Sequence, residues 1–119
     1  MKIISQSSMM KRYCLALDLK NDLVSITEYE YWHKNCWPEV KQSIIDSGII
    51  NMEIYRTGNR LFMIMETEDE FSFIRKDLLD ASNIKVQEWE TFMWKYQQPL
   101  PDAKPGEKWV VMNKIFELA

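Results

Sequence analysis

The middle of the chain predicts a β-hairpin, which constrains the possible folds more than any other feature of the sequence. Residues 49–56 alternate apolar and polar side chains as a strand does, and residues 60–66 return as a second strand. The connecting Thr57-Gly58-Asn59 is rich in turn formers. Three side chains of the first strand are predicted to share one face: Ile50, Met52 and Ile54. The second strand is apolar at nearly every position, which favours a covered place inside a sheet.

The segment before the hairpin predicts a strand followed by a helical arm in two pieces. Residues 10–19 form an apolar first strand, and Asp22 is the N-cap of a helix that runs to about Trp32. A second helix is predicted over residues 38–47, because a proline fits its first turn and Gly48 ends it. The two helices therefore meet at an elbow.

The segment after the hairpin repeats this arrangement. A third helix is predicted over residues 69–79, opened by two acidic residues, and a fourth over residues 83–96 with Asn83 as N-cap. Residues 97–106 hold three of the four prolines, so they predict a stiff extended loop. Residues 108–117 are predicted to form the last strand.

The resulting order, β-α-β-β-α-β with each helical arm broken in two, predicts an α+β domain with the ferredoxin-like split βαβ arrangement. Both arms then cover one face of an antiparallel sheet, and the other face is apolar and uncovered. A second copy, packed sheet against sheet, would cover this face in a two-fold dimer. We therefore expect a homodimer that forms a dimeric α/β barrel.

Size, charge and apolar content exclude several classes of function. With 119 residues, the chain is expected to form one domain over residues 10–119, after a flexible tail at residues 1–9. Its formal net charge of -3 at pH 7 argues against a nucleic-acid partner, which needs a basic surface. No apolar run has the length of a membrane span or a signal peptide, so we expect a cytoplasmic protein that binds no membrane.

The two cysteines and the single histidine give little support for a metal site or a disulfide framework. Cys14 lies in an apolar strand, where a small buried thiol is expected, and Cys36 lies in the elbow, where it could line a pocket. One histidine without a paired cysteine motif does not match zinc ligation. We therefore expect no metal and no cofactor.

Residues 29–39, Tyr-Glu-Tyr-Trp-His-Lys-Asn-Cys-Trp-Pro-Glu, contain the clearest functional signal. They hold the only histidine, His33, with two of the five tryptophans and two of the five tyrosines. Tyr29 and His33 are four residues apart, so on a helix they share one face. A histidine at an elbow among aromatic side chains indicates a small-ligand pocket, although the same histidine taken alone fits a capping or surface role.

The spacing Tyr29-x-x-x-His33-x-x-x-Trp37-Pro38-Glu39 is also the most specific part of a family resemblance. Supporting pieces in other elements are Arg12, Ile54-Tyr55, Asn59-x-Leu61-Phe62, Trp94-Lys95-Tyr96 and Phe116. Over about residues 11–118 the chain resembles the L-rhamnose mutarotase family, small cofactor-free dimeric α/β-barrel enzymes that interconvert the α and β anomers of 6-deoxy-sugars. The resemblance implies an aldose mutarotase that acts on a monosaccharide, L-rhamnose or L-fucose.

The resemblance also implies roles for particular residues. His33 takes the position of the family's acid/base histidine, with Tyr29 one turn earlier as its catalytic partner. The family's aromatic pair near the end of the fourth helix is usually Trp-Trp, whereas here it is Met93-Trp94, so the preferred sugar stays open. The residues expected to bind the sugar are Arg12, Trp37, Tyr55, Trp94 and Tyr96.

Acid–base chemistry suits these residues. Mutarotation opens the pyranose to the free aldehyde and closes it again on either face, so one group must take the proton of the anomeric hydroxyl while another protonates the ring oxygen. A histidine with a pKa of about 6.5 can do either at neutral pH. Tyr29 or a water molecule can complete the relay, and no covalent intermediate, metal or nucleotide is required.

Two other functions fit the same fold. A cofactor-free monooxygenase that acts on an aromatic substrate would need a more apolar pocket than the one predicted here. A non-catalytic sugar-binding module would tolerate the loss of His33. Single residues also have structural interpretations, since Trp37 and Trp94 fit core positions as well as sugar platforms, and Arg12 could simply pair with a carboxylate.

Overall fold

The computed structural model describes residues 10–119, and the tail predicted over residues 1–9 lies outside this range. The strands and helices follow the predicted order, with one short strand added. The elements are β1 (Lys11–Leu19), α1 (Leu23–Lys34), α2 (Pro38–Asp46), β2 (Ile49–Thr57), β3 (Arg60–Thr67), α3 (Phe73–Ala81), α4 (Ile84–Trp94), β4 (Gln97–Gln98) and β5 (Val110–Val111). Within residues 10–119, no helix is both long enough and apolar enough to span a membrane.

The strands form one antiparallel sheet with β1 and β3 at its centre. β3 lies between β1 and β2, while β4 and β5 share the other edge of β1. The β2–β3 connection is the predicted tight turn, and Gly58 supplies the positive φ of 57° that it requires. The ferredoxin-like α+β fold is therefore confirmed, and the barrel formed by two copies stays a prediction.

The four helices cover one face of this sheet, and the apolar side chains of that face form the core. Leu17, Leu19 and Leu61 are among the most deeply buried of these side chains. The first helical arm is broken at the predicted elbow, since α1 ends at Lys34 and Pro38 begins α2. The elbow therefore brings the residues of the aromatic stretch against the core.

Side-chain caps set the starts of α1 and α4 as the sequence predicts. Asp22 accepts a hydrogen bond from the backbone N–H of Ser25 at 2.8 Å. Asn83 accepts one from the backbone N–H of Val86 at 3.2 Å. Each cap satisfies one of the free N–H groups at a helix start, which is the reason these residue types favour the position.

The predicted start of the third helix is wrong. α3 begins at Phe73, and Ser72 is its N-cap, accepting a hydrogen bond from the Arg75 backbone N–H at 3.2 Å. Phe71 is only 5% exposed, so the chain bends inward to bury this ring before the helix can begin. Burial of one aromatic side chain therefore outweighs the acidic residues that mark a helix start at residues 69–70.

A β-bulge changes the predicted face of β2. The pairing with β3 shifts register between Ile49 and Asn51, which leaves Ile50 54% exposed and Ile49 3% exposed. Ile49, rather than Ile50, therefore faces the helices together with Met52 and Ile54. The bulge reverses the alternation at one end of the strand, so the prediction for Ile50 is wrong.

The last strand is much shorter than predicted. β5 comprises only Val110–Val111, and Met112 adds one hydrogen bond to the Cys14 carbonyl at 2.7 Å. Residues 113–119, here called the C-terminal segment, then leave the sheet, with Ile115 95% and Phe116 74% exposed. The predicted loop after α4 is also partly wrong, because β4 lies within it and pairs with the end of β1.

The sheet face opposite the helices, here called the open face, carries partly buried apolar side chains from the central strands. Residues that pair directly in an antiparallel ladder point to the same side, so Cys14 lies beside Ile64 and Ala16 beside Phe62. Tyr55 of β2 pairs with Phe62 and extends the same face. The open face and the C-terminal segment both leave apolar side chains uncovered.

Candidate active site

Helix α1 places Tyr29 and His33 on one face, as their spacing predicts. Their rings are stacked, with centroids 4.1 Å apart and planes inclined by 30°. The Nδ1 atom of His33 lies 3.0 Å from the backbone carbonyl oxygen of Tyr29. Tyr29 is 3% exposed, and His33 is half-buried. The histidine is therefore held at the border between the core and the surface.

This hydrogen bond fixes the tautomer of the imidazole. A carbonyl oxygen can only accept, so Nδ1 carries the hydrogen, and in the neutral ring Nε2 keeps a free lone pair. Burial lowers the pKa of His33 below its ordinary value of 6.5, and the hydrogen bond to Tyr29 offsets only part of the fall. At pH 7 the side chain is therefore neutral, with Nε2 ready to accept a proton.

Burial has the opposite effect on the phenol of Tyr29. It raises the pKa of Tyr29 above its ordinary value of 10.0, and an interaction with the Gln97 side chain acts against this rise. The hydroxyl therefore stays protonated through the physiological pH range and can donate a hydrogen bond. A proton acceptor and a proton donor consequently lie side by side on one helix.

A cluster of aromatic rings surrounds this pair. The ring of Trp89 meets His33 edge-on at 5.5 Å and also contacts Trp37 from the elbow at 5.2 Å. Tyr96, just beyond α4, meets Tyr29 at 6.5 Å and is 2% exposed. These rings keep water from part of the imidazole, which is the physical cause of its lowered pKa.

Two polar contacts hold α1 against the rest of the domain. The Tyr96 hydroxyl donates a hydrogen bond to Oε1 of Glu28 at 2.9 Å. Arg56, at the end of β2, forms an ion pair with Glu30. Burial and the neighbouring Glu28 carboxylate raise the pKa of Tyr96, so this hydroxyl also stays protonated. The helix that carries His33 is thereby tied to both α4 and the sheet.

Two residues predicted to bind the sugar lie on the other side of the sheet. Arg12 pairs with Glu66 across β1 and β3, and the two side chains form an ion pair at 3.2 Å on the open face. Tyr55 also lies on the open face, where its hydroxyl donates to Glu53 at 3.3 Å. The expectation that Arg12 and Tyr55 lie beside His33 within one protomer is wrong, because strand alternation directs them to the opposite face.

Trp94 lies outside the aromatic cluster. Its side chain is 39% exposed at the end of α4. The Nζ atom of Lys108 sits over the ring at 4.8 Å, and the same amine donates to the Glu90 carbonyl at 3.3 Å. Of the seven residues predicted for the site, the structure therefore brings together four: Tyr29, His33, Trp37 and Tyr96.

Other sites offer less chemistry in the part of the chain that the structure describes. Burial raises the pKa of the Cys36 thiol, so it is not an activated nucleophile. No group of three or more His, Cys, Asp or Glu side chains among residues 10–119 could hold a metal ion. Two shallow clefts along α3 and α4 include neither Tyr29 nor His33. The candidate site is therefore defined by the histidine and not by a large cleft.

Sequence reasoning missed two residues of this site. Trp89 lies within the predicted fourth helix, and its position there gave no sign of the contact with His33. Gln97 was expected in a loop, but it lies in β4 and its side chain interacts with Tyr29. Neither residue has a local signal in the sequence, because each reaches the site only through the packing of α4 and β4 against α1 and β1.

Comparisons with known proteins show the family and the fold of this chain. Residues 12–118 match the model of the L-rhamnose mutarotase family. An L-fucose mutarotase of Xanthomonas campestris is 41% identical over 112 residues, which cover 92% of this chain and 90% of that protein. An L-rhamnose mutarotase of Phocaeicola vulgatus is 33% identical, covering 81% of this chain and 88% of that protein. The crystal structure of an L-rhamnose mutarotase from Formosa agariphila has the same fold, with a TM-score of 0.68 at 22% identity, covering 92% of this chain and 99% of that one.

Proposed function

This chain belongs to the L-rhamnose mutarotase family, and we propose that it interconverts the α and β anomers of a 6-deoxy-hexose at a site built around His33. The observation that carries the proposal is the neutral imidazole, with Nε2 free and a protonated tyrosine beside it. Anomers already exchange slowly in water, so acid–base catalysis worth about 10²–10⁴-fold is enough for a useful enzyme.

The proposed reaction needs two proton transfers in each direction. Nε2 of His33 takes the proton of the anomeric hydroxyl, the bond between C1 and the ring oxygen breaks, and the imidazolium then gives this proton to the ring oxygen, which leaves the free aldehyde. Rotation about the C1–C2 bond then presents the other face of the aldehyde. The same transfers run in reverse to close the ring, which leaves the enzyme unchanged and yields the other anomer.

Tyr29 is proposed to be the hydrogen-bond donor to the ring oxygen of the sugar. Its hydroxyl stays protonated, so it can donate a hydrogen bond to this oxygen directly or through a water molecule. Because its pKa is raised, the phenol keeps its own proton, and its hydrogen bond stabilises the negative charge that develops on the ring oxygen. The imidazolium of His33, and not the phenol, supplies the proton that the ring oxygen gains.

The proposed sugar site comprises Tyr29, His33, Trp37 and Tyr96. Their aromatic surfaces suit a 6-deoxy-sugar, whose methyl group and apolar ring face favour contact with aromatic rings. Arg12 and Tyr55, on the open face, and Trp94, under Lys108, are assigned no direct contact with the sugar within one protomer. Substitution of Trp37 should therefore affect sugar binding more than substitution of Trp94.

L-Fucose is the proposed preferred substrate, since the L-fucose mutarotase of X. campestris is 41% identical to this chain and the L-rhamnose mutarotase of P. vulgatus 33%. The test is saturation-exchange proton NMR, which reads magnetisation transfer between the two anomeric protons of each sugar. We expect protein-dependent exchange that is faster for L-fucose than for L-rhamnose. Absence of exchange for both sugars would overturn the proposed function, and a faster rate for L-rhamnose would overturn the preference alone.

The lowered pKa of His33 predicts the pH dependence of catalysis. Because the reaction needs the neutral imidazole, kcat/KM should rise with pH, with a midpoint below 6.5, and reach a plateau by neutral pH. The raised pKa of Tyr29 predicts no decline on the alkaline side up to about pH 9. The profile can be measured by NMR exchange after subtraction of the uncatalysed rate, and a midpoint above 7 would contradict the assignment.

A homodimer, formed by packing of two open faces, is part of the proposal. It is supported by the partly buried apolar side chains of the open face and by the exposed apolar side chains of the C-terminal segment. In a two-fold dimer, each of these surfaces packs against a surface of the second copy, because both copies carry the same two surfaces. Arg12 and Tyr55 would then lie at the seam between subunits.

A cytoplasmic location is also proposed. Cys14 and Cys36 are both free thiols, and neither is paired in a disulfide. Free thiols are usual in a reducing compartment. Fractionation of the producing cell, followed by detection of the protein in the cytosolic fraction, would test this location.

A further inference from the structure

Gln97 carries an unusual feature for a residue of this small core. Gln97 lies in β4 and pairs in the sheet with the fully buried Leu19 of β1. Its side chain points into the interior, and the residue is 7% exposed. Its Oε1 atom is the one buried side-chain oxygen or nitrogen of residues 10–119 that has no hydrogen-bond partner. Buried acceptors are nearly always satisfied, because an unpaired one lowers stability.

The position of Gln97 relates this free acceptor to the candidate active site. The Gln97 carboxamide interacts with the Tyr29 side chain, whose ring is stacked on His33. The preceding residue, Tyr96, is packed against Tyr29 at 6.5 Å. An apolar residue of the same length would fill this space without an unpaired oxygen, so packing alone does not account for glutamine.

We propose that the carbonyl oxygen of Gln97 accepts a hydrogen bond from a hydroxyl group of the bound sugar and thereby helps to select the sugar. This inference rests on the proposed function, since it takes the ligand of the site to be a 6-deoxy-hexose. L-Fucose and L-rhamnose differ in the orientation of the hydroxyls at C2 and C4. A fixed acceptor that contacts either hydroxyl therefore distinguishes the two sugars, because the wrong orientation leaves a buried polar group unpaired.

The test combines a protein substitution with changes in the sugar. Gln97→Met keeps the length of the side chain and removes the acceptor. Gln98→Met is the matched control, because Gln98 is the other residue of β4, is exposed and pairs with Asp18 on the opposite side. For each protein, kcat and KM are measured by NMR exchange for L-fucose, L-rhamnose and the 2-, 3- and 4-deoxy derivatives of L-fucose.

We expect Gln97→Met to lower kcat/KM for L-fucose by about tenfold, the effect of one hydrogen bond of ordinary strength. The loss should disappear for the one deoxy sugar that lacks the contacted hydroxyl, and Gln98→Met should behave as wild type. The melting temperature of Gln97→Met should be unchanged or higher, since an unpaired buried acceptor is removed.

Three outcomes would overturn the inference. Unchanged kcat/KM in Gln97→Met would show that the acceptor does not contact the sugar. An equal loss for all three deoxy sugars would show that Gln97 acts only by supporting Tyr29. If the wild-type protein exchanges the anomers of neither L-fucose nor L-rhamnose, the proposed function fails, and this inference fails with it. If the wild-type protein does exchange anomers and one of the first two outcomes is observed, only this inference fails and the proposed function stands.

Discussion

Replacement of His33 by glutamine should slow anomer exchange by about 10²–10⁴-fold, which is the contribution of a well-placed general acid–base group. Glutamine keeps a planar polar side chain that can still donate to the Tyr29 carbonyl, but it has no group that titrates near neutral pH. The rate should be measured by NMR exchange on L-fucose at saturating sugar, so that the loss is assigned to kcat.

The control for this prediction is Lys34→Gln, the next residue of α1, whose side chain is exposed. Its exchange rate should match that of wild type. Thermal unfolding of both variants should give melting temperatures within a few degrees of wild type, since one half-buried polar side chain replaces another. A His33→Gln protein that is folded and exchanges anomers at the wild-type rate would remove His33 from the mechanism.

The second large effect is expected at the proposed subunit interface, where Ile115→Asp combined with Phe116→Asp should convert the proposed dimer into monomers. These side chains are 95% and 74% exposed in one protomer, so their replacement cannot disturb the core of that protomer. Burial of an aliphatic or aromatic side chain contributes roughly 1.5–3 kcal/mol. Each substitution occurs in both subunits of a two-fold dimer, so the double variant should lose roughly 6–12 kcal/mol of dimer stability.

A loss of this size raises the dissociation constant by roughly four orders of magnitude or more. Sedimentation velocity over a range of protein concentrations would measure it directly. Leu23→Asp is the matched control, because Leu23 is an equally exposed apolar residue in the first turn of α1, where an acidic residue is tolerated. A wild-type protein that is monomeric at all concentrations, or a double variant that stays dimeric, would contradict the proposed interface.

The part of the site that could be predicted depends on short spacings within one helix. Tyr29 and His33 are four residues apart, and this spacing alone places both rings on one face of α1. Trp37 follows because the proline after it fixes where α2 begins. Gln97 and Trp89 could not be predicted, because their contacts with Tyr29 and His33 join segments that are more than fifty residues apart.

The placement of Arg12 and Tyr55 shows a second limit of sequence reasoning. Each was expected beside His33, but the face of a strand on which a residue lies depends on the pairing register of the whole sheet. A shift of one residue exchanges the two faces, as the bulge at Ile50 does at one end of β2. Register is set by the core that forms between strands and helices, and no single strand contains that information.

The sequence by itself determined the features that depend on neighbouring residues. Asp22 and Asn83 cap their helices with their own side chains, Gly58 alone permits the hairpin turn, and Pro38 starts α2. The order of these elements was enough for the ferredoxin-like α+β fold. Each of these features arises from the stereochemistry of a few consecutive residues, which the sequence states directly.

Only the tertiary structure decided the features that depend on distant packing. Burial of Phe71 moved the start of α3 to Phe73, and pairing with β1 made β4 a strand. The same packing placed the Trp89 ring of α4 against His33, lowered the pKa of its imidazole and left the Gln97 oxygen without a partner. Desolvation and hydrogen-bond pairing are properties of the assembled core, so the chemical state of the site follows from the fold and not from any one segment of the chain.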